Sequence, residues 1–358
     1  MASAITREYL EFQSDRIEAV LASHKIPVRV NGGAVAPRWI RFHFTAAPSA
    51  KLNSIRNLSE EIAMALGAPD VRLARDGDSL ALEVPRPDAE SIRLLPLMKK
   101  LIQGGAVIPP VAACIGVTND GRPLLLRLPS PDVSHILVAG MTGSGKTELM
   151  RTLLVSLAAV NRQSKLQMAL IDPKARGFAP LTNLPHVLGK PATDVPSATI
   201  MLERLVNEMD RRDRAHVSSP RIIIAVDEVV DLLMMGGKQV EMMLTRIAQR
   251  GREAGLHLIL GAQKPSSTTL GANLKANLPV RLVGRVGSTE DARVAAGVAG
   301  SYAEKLRGQG DFIAVSNGNI THFQVAHIPG EDMAQFQKAF RDHASLIEEN
   351  EGDEGMTR

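Results

Sequence analysis

Two short stretches carry the residues best suited to chemistry. The first is "GMTGSGKT", Gly140 to Thr147. It fits G-x-x-x-x-G-K-[ST] at every fixed position, after an apolar run and before a helical pattern. Gly140, Gly143 and Gly145 let backbone N–H groups turn inward onto phosphate oxygens. Lys146 reaches the outer phosphates, the Thr147 hydroxyl ligates Mg²⁺, and the following helix adds its positive end. The contact set for a nucleotide is Gly140, Thr142, Gly143, Ser144, Gly145, Lys146, Thr147 and Glu148. The second stretch is "RIIIAVDEVVDLL", 221 to 233. It ends an apolar strand in two carboxylates, at the strand end where α/β sheets bind ligands. Asp227 suits a Mg²⁺ ligand through water, and Glu228 suits a base that orients an attacking water. The pair together points to ATP hydrolysis.

Weaker signals surround these two. Gln263 ends another apolar strand, "LHLILGAQKP", where an amide can sense hydrolysis, though an ordinary strand-end Gln reads the same. Arg246, Arg250 and Arg252 share one helix; any of them suits an arginine finger or a solvated face. "IDPKARG" sets Asp172 and Lys174 after a strand, and by itself reads as a plain turn. The histidines are scattered without ligand spacing, so zinc is not expected.

Such residues need a rigid frame, and the alternation from 135 onward supplies one. Apolar runs at "HILVAG", "KLQMALIDP", "RIIIAVDE", "LHLILGAQKP" and "PVRLVGRV" read as strands buried on both faces. Helical patterns at "KTELMRTLLVSLAAV", "SATIMLERLVNEMDRRDRAH", "QVEMMLTRIAQRGREAG" and "TEDARVAAGV" separate them, which predicts an α/β fold with a parallel-rich sheet. Upstream, a helix over 6–24, a strand over 39–45, a helix ending at Gly67 and a hairpin turned at Asp76-Gly77-Asp78 predict a small α+β unit in β-α-β-β order. Residues 86–111 read as a Pro- and Gly-punctuated connection, followed by a hairpin over 112–117 and 123–128. The predicted domains are 1–105, small α+β; 106–332, an ATPase motor; and 333–358, a C-terminal helix with an acidic disordered tail.

Composition narrows the classes. The chain has 358 residues, 44% hydrophobic, with a formal net charge of +4. Aromatics at 3% are few for base stacking, so any nucleic acid would be held through phosphates. One cysteine, Cys114, excludes an intrachain disulfide. There is no signal-peptide pattern and no 18-residue apolar run, so a cytoplasmic protein with no membrane segment is expected.

Several segments together resemble the FtsK/SpoIIIE double-stranded DNA translocases. "HILVAGMTGSGKT", "LIDPKARGFAPLTNLPHVL", "LVNEMDRRDR", "IIIAVDEVVDLLM", "RIAQRGREAGLHLILGAQKP", "LKANLPVRLVGRV" and "GQGDFI" occur in the family's order. Residues 26–74 are similar to its small α-domain. The resemblance implies a RecA-like P-loop NTPase core, ATP and Mg²⁺ as cofactors, and a hexameric homo-oligomeric ring around double-stranded DNA. By position it implies Arg252 as the finger acting in trans, Gln263 as the sensor, and Lys264, Lys275 and Arg293 as contacts to DNA phosphates. Holding backbone rather than bases lets a motor run on any sequence.

The departures are specific. Lys264 stands where the family has Arg, which keeps charge but loses the bidentate fork. Thr289, beside Glu290, replaces a basic position. The family's membrane-spanning region and C-terminal winged helix have no counterpart, which reads as a stripped motor of a phage, plasmid or other mobile element. Its loading or direction would then come from a partner protein. The competing readings are a type VII secretion-like ATPase that moves protein, a conjugative or packaging DNA pump, and a nucleotide-binding adaptor. The intact Lys146, Asp227 and Glu228 argue against the adaptor.

Overall fold

The computed structural model describes residues 5–46, 52–76, 79–89, 91–264 and 270–340. Gly77 and Asp78 of the expected turn, Pro265 of "GAQKP" and the acidic tail from 341 lie outside them. The chain divides into two compact units, Met1–Ile92 with Val117–Arg122, and Arg93–Gly116 with Pro123–Arg358.

The first unit contains α1 (Arg7–Ser23), β1 (Val28–Val35), β2 (Trp39–Ala46), α2 (Leu52–Asn57), α3 (Ser59–Leu66), β3 (Arg72–Asp76) and β4 (Ser79–Pro85). Its strands form an antiparallel sheet in the order β1-β2-β4-β3. Thr6 caps α1 by accepting the Tyr9 N–H at 3.2 Å. One core gathers Ile17 and Leu21 of α1, Ile40, Phe42 and Phe44 of β2, Ile62 and Leu66 of α3, and Leu82 and Val84 of β4.

Two expectations change here. β1 precedes the predicted first strand; Asn31, Gly32 and Gly33 hide its alternation, and the register shifts between Val30 and Gly32. A Cβ on Gly33 would stand 2.1 Å from the Arg41 carbonyl, so the close approach of β2 requires glycine. The helix expected over 51–67 is two helices broken at Leu58, ending at Gly67 in the left-handed region (φ 65°). The sheet also buries polar groups. Arg41 Nε lies 3.3 Å from Glu83 Oε1, and Asn119 donates to Glu83 Oε2 at 2.7 Å.

The second unit contains α4 (Leu94–Gln103), β5 (Ala112–Thr118), β6 (Pro123–Arg127), β7 (Ile136–Ala139), α5 (Lys146–Val160), β8 (Leu166–Ile171), α6 (Val195–Ala215), β9 (Arg221–Val226), α7 (Val229–Ala254), β10 (Leu256–Ala262), α8 (Ala272–Ala276), β11 (Val280–Val283), α9 (Thr289–Ala296), β12 (Asp311–Ser316) and β13 (Asn319–Val325). A further helix covers 330–340. Nine strands form one sheet in the order β6-β5-β13-β12-β11-β7-β10-β9-β8. The run from β11 to β8 is parallel, and β12 and β13 are antiparallel. This is the α/β, parallel-rich fold the sequence predicts. Among the described residues no helix is long and apolar enough to cross a membrane.

The structure divides at Ile92, earlier than residue 105. The reason is α4, which the Pro and Gly of this stretch conceal. Leu94 N–H donates to the His327 carbonyl at 2.9 Å, and Arg93 Nε to Asp332 Oδ2 at 3.0 Å, so the helix packs with the second unit. α7 also begins earlier than its pattern, directly after Glu228, with a non-helical break at Gly237 (φ 59°, ψ −153°).

Strand register gathers the chemistry at one edge. Ala262 of β10 pairs with Ala139 of β7, and Leu260 pairs with Val226 of β9. The three chains therefore leave the sheet side by side, carrying Gly140, Asp227 and Gln263.

Candidate functional site

β7 delivers the glycine loop, and a second loop supports it from behind. Gln309 N–H donates to the Gly143 carbonyl at 3.0 Å, and Gly310 N–H to the Ser144 carbonyl at 2.8 Å. Gly145 has φ 101°, and a Cβ there would lie 2.8 Å from Gly310 N. Only glycine meets both demands. α5 starts at Lys146, so its first-turn N–H groups have no partner within the helix and face the loop's concavity. Ser144 is buried, and its Oγ has no hydrogen-bond partner among the described residues.

The catalytic candidates converge on this loop. Lys146 Nζ donates to the Asp227 carbonyl at 2.5 Å and to Glu228 Oε2 at 3.1 Å. Thr147 Oγ1 donates to Asp227 Oδ1 at 3.3 Å. Lys146, Asp227 and Glu228 are all buried. A buried cation and anion are tolerable together because each cancels the other's desolvation cost. Glu228 Oε1 also accepts the Gln263 backbone N–H at 3.1 Å, which ties the tip of β10 to the carboxylate. The Gln263 side chain is exposed beside it, as is Lys264.

This arrangement fits a Mg²⁺–nucleotide group. A hydroxyl and a carboxylate oxygen already meet at Thr147 and Asp227, as hard-cation ligation requires. The Lys146 ammonium, held by two oxygens of its own chain, can be exchanged onto phosphate. Among the described residues no cluster of three or more His, Cys, Asp or Glu could hold a metal by itself. A cation here would therefore need phosphate and water to complete its shell.

Glu148 directs its carboxylate elsewhere: Oε1 accepts the Ile328 N–H at 3.0 Å and Oε2 lies 3.7 Å from Arg151, which leaves its backbone in the first turn of α5 as the part that could meet a nucleotide. Thr142 stands exposed at the rim of the loop.

The arginines of α7 separate cleanly. Arg246 donates to Asp210, and Arg250 to Asp213 at 2.6 Å, so both bind α7 to α6. Arg252 pairs only with its neighbour Glu253 among the described ion pairs. It precedes β10, whereas Gln263 follows it, so the whole strand separates Arg252 from the glycine loop. Seven residues of strand span roughly 23 Å.

The predicted DNA contacts are spread over three places. Lys264 follows the tip of β10. Lys275, in α8, is half-buried; burial, then the nearby Arg281, lowers its pKa. Arg293, in α9, is exposed and donates to Glu290 at 2.7 Å. Arg281, which sequence reasoning passed over, bridges the two helices, donating to the Lys275 carbonyl at 3.4 Å and the Val294 carbonyl at 3.3 Å. Its place in an apolar strand was the available signal.

Sequence reasoning also undervalued "DPKARGF". Asp172 Oδ2 accepts the Phe178 N–H at 2.9 Å, closing the loop on itself. Arg151 donates to the Gly177 carbonyl at 2.6 Å and the Arg176 carbonyl at 2.9 Å. Gly177 lies flat on Asp227: a Cβ would stand 2.8 Å from Asp227 Cγ. The loop thus forms the wall that fixes the Asp227 carboxylate toward Thr147.

The pattern of the FtsK/SpoIIIE family matches residues 110–219 and 213–267, and that of the FtsK alpha domain matches residues 1–86. The DNA translocase SftA of Bacillus subtilis is 31% identical over 338 residues, covering 87% of this chain and 35% of that protein. The DNA translocase FtsK of Helicobacter pylori is 33% identical over 301 residues, covering 77% of this chain and 35% of its own length. The chain thus spans about a third of the length of these curated relatives. Among solved structures, the conjugation coupling protein TcpA of pCW3, a monomer form with ATPγS, aligns with TM-score 0.61 and 17% identity, over 92% of this chain and 99% of that one. The cytoplasmic domain of the type VII secretion ATPase EccC of Thermomonospora curvata aligns with TM-score 0.56 and 27% identity, over 61% of this chain and 29% of that one.

Proposed function

The chain belongs to the FtsK/SpoIIIE family, and on that premise we propose that it is an ATP-hydrolysing ring motor that translocates along double-stranded DNA. The observation that carries this reading is the convergence of Lys146, Thr147, Asp227 and Glu228 at one sheet edge, with the Gln263 N–H bonded to Glu228.

Glu228 orients the attacking water and takes its proton. Lys146 leaves Glu228 to meet the phosphates, which frees that carboxylate for the water. Thr147 Oγ1 and, through water, Asp227 would hold Mg²⁺, which when bound supplies positive charge against the phosphate oxygens. Gln263 reports the state of Glu228 along the backbone to Lys264, one residue away. Arg252 lies too far along β10 to serve its own site, which supports its action on a neighbour's. A closed ring, hexameric by family resemblance, gives every site such a neighbour.

Lys264, Lys275 and Arg293 fit phosphate contacts, so the grip is on backbone and independent of sequence. DNA as the cargo rests on relatives named DNA translocases, which match 77–87% of the chain at 31–33% identity. The likeness to the secretion ATPase covers 61%. The test is the ATPase rate with and without linear duplex DNA, together with displacement of a third strand from a triplex. Stimulation and displacement are expected. Absence of both sinks the translocase reading in favour of a protein-moving or non-motor ATPase. Lys275→Ala should weaken DNA binding and flatten its salt dependence by about one counterion, while basal turnover persists.

A further inference from the structure

The catalytic carboxylate has a supply problem. Glu228 is buried, and the cation that balances it, Lys146, is the same group that phosphate must take away. A buried carboxylate left without a counter-charge is strongly disfavoured. A second cation stands close by. Lys174 Nζ lies 3.2 Å from Asp231 Oδ2. Asp231 sits in the first turn of α7, three residues beyond Glu228, which is the extended N-cap of the same helix (φ −138°, ψ 90°), and the charges of both carboxylates act on Lys174.

Lys174 is presented by a built support. The Ala175 N–H donates to the Asp172 carbonyl at 2.9 Å, which makes Asp172–Ala175 a tight turn with Pro173 in its favoured second place. Arg151 fixes the far side of this loop, and Gly177 presses it against Asp227. The backbone is thus immobilised at the site while the Lys174 side chain remains half-exposed at 49%. A flexible four-carbon stem can move its ammonium from one carboxylate to the next without moving the loop. The Asp231 hydrogen bond first, with the charges of Glu228 and Asp227 adding to it, raises the Lys174 pKa, so the group stays charged throughout.

We propose that Lys174 is a positioning residue of the ATP site, which replaces Lys146 as the counter-charge of Glu228 when phosphate draws Lys146 away. This deepens the ATPase reading and rests on it. Asp231 is then the resting berth of Lys174.

The test compares Lys174→Met, Lys174→Arg and Asp231→Asn in the full chain, with steady-state ATPase, fluorescent ATP-analogue binding and thermal unfolding. If Lys174 supports Glu228, Lys174→Met lowers kcat about 10- to 100-fold with KM and analogue affinity nearly unchanged. Lys174→Arg recovers most of the loss, and Asp231→Asn, which keeps the cation and removes only its berth, turns over at or above the wild-type rate. If the ion pair merely braces the loop, Lys174→Met and Asp231→Asn fall together and both lower the unfolding midpoint; that result overturns the proposal. Unchanged kcat in Lys174→Met also overturns it. A wild-type chain that binds the analogue but hydrolyses nothing refutes the ATPase reading itself, which is a separate failure.

Discussion

The two ends of the nine-stranded sheet solve opposite electrostatic problems. At the C-terminal ends of β7, β9 and β10, charge is buried where it can be exchanged: Lys146 pairs with Glu228, and the Asp227 carboxylate accepts the Thr147 hydroxyl. At the N-terminal ends of β7 and β10, the buried polar groups are two neutral imidazoles. His257 Nδ1 donates to the Ser134 carbonyl at 2.9 Å, and His135 Nδ1 accepts the Leu258 N–H at 3.0 Å. Burial, then the neighbouring His257, lowers the His135 pKa to about 3; burial above all lowers that of His257 to about 4. The charge of Arg252 contributes to both shifts. The working end stores charge in a form that can be swapped. The supporting end excludes charge from its interior, and Arg252, at its rim, pairs with Glu253; this is the group proposed to act on a neighbouring subunit.

That contrast can be broken in three ways. The largest effects belong to the working end. Lys146→Ala and Glu228→Gln should each lower ATP turnover by more than about 10³-fold. They should part on binding: Glu228→Gln retains a fluorescent ATP analogue, and Lys146→Ala loses it. Normal hydrolysis by Glu228→Gln would remove it from the role of base.

Next comes the rim of the supporting end. If Arg252 acts as proposed, Arg252→Ala should cost roughly 10³-fold in turnover, the scale of an arginine finger. Mixing it with Lys146→Ala subunits should restore activity, because some sites then combine an intact Lys146 with an intact Arg252. A mixture as inactive as its parts would mean that Arg252 does not act across subunits.

The smallest effect tests the imidazoles. Their folded pKa values lie below the unfolded value of about 6.5, so the neutral forms stabilise the fold fully above that pH. This contribution is lost as pH falls from about 6.5 through 4 and on to 3. Thermal unfolding followed over that range should show a steep decline, and His257→Asn, which keeps a donor toward Ser134, should flatten it. An unchanged slope would mean that other groups carry the acid sensitivity.

What the sequence disclosed follows from how narrowly each residue was constrained. "GMTGSGKT" and "VDE" were legible because phosphate and Mg²⁺ demand fixed residue types at fixed spacing. The parallel strands were legible because burial on both faces leaves a largely apolar run, as in β9 and in β10, where His257 is the one polar side chain. β1 was not, since Gly33 answers a backbone contact with β2 that lies outside its own pattern. α4 was masked by Pro and Gly that look alike in a linker and at a helix boundary. Glu148 resembled a nucleotide contact by position alone, and only the fold shows its carboxylate turned to Ile328. The loop at 172–178 was beyond local reading, because its meaning lies in Arg151 and Asp227, far away in sequence.

α7 has one more consequence. Glu228 stands at its N-cap and Arg252 in its last turn, with the break at Gly237 between them. In the proposed ring, one helix therefore carries both the tool a subunit uses and the tool it lends. A subunit's competence would then be shared property: loss of Glu228 would silence a subunit's own site, and loss of Arg252 would silence a neighbour's, so damage at the two ends of one helix would surface at two different sites.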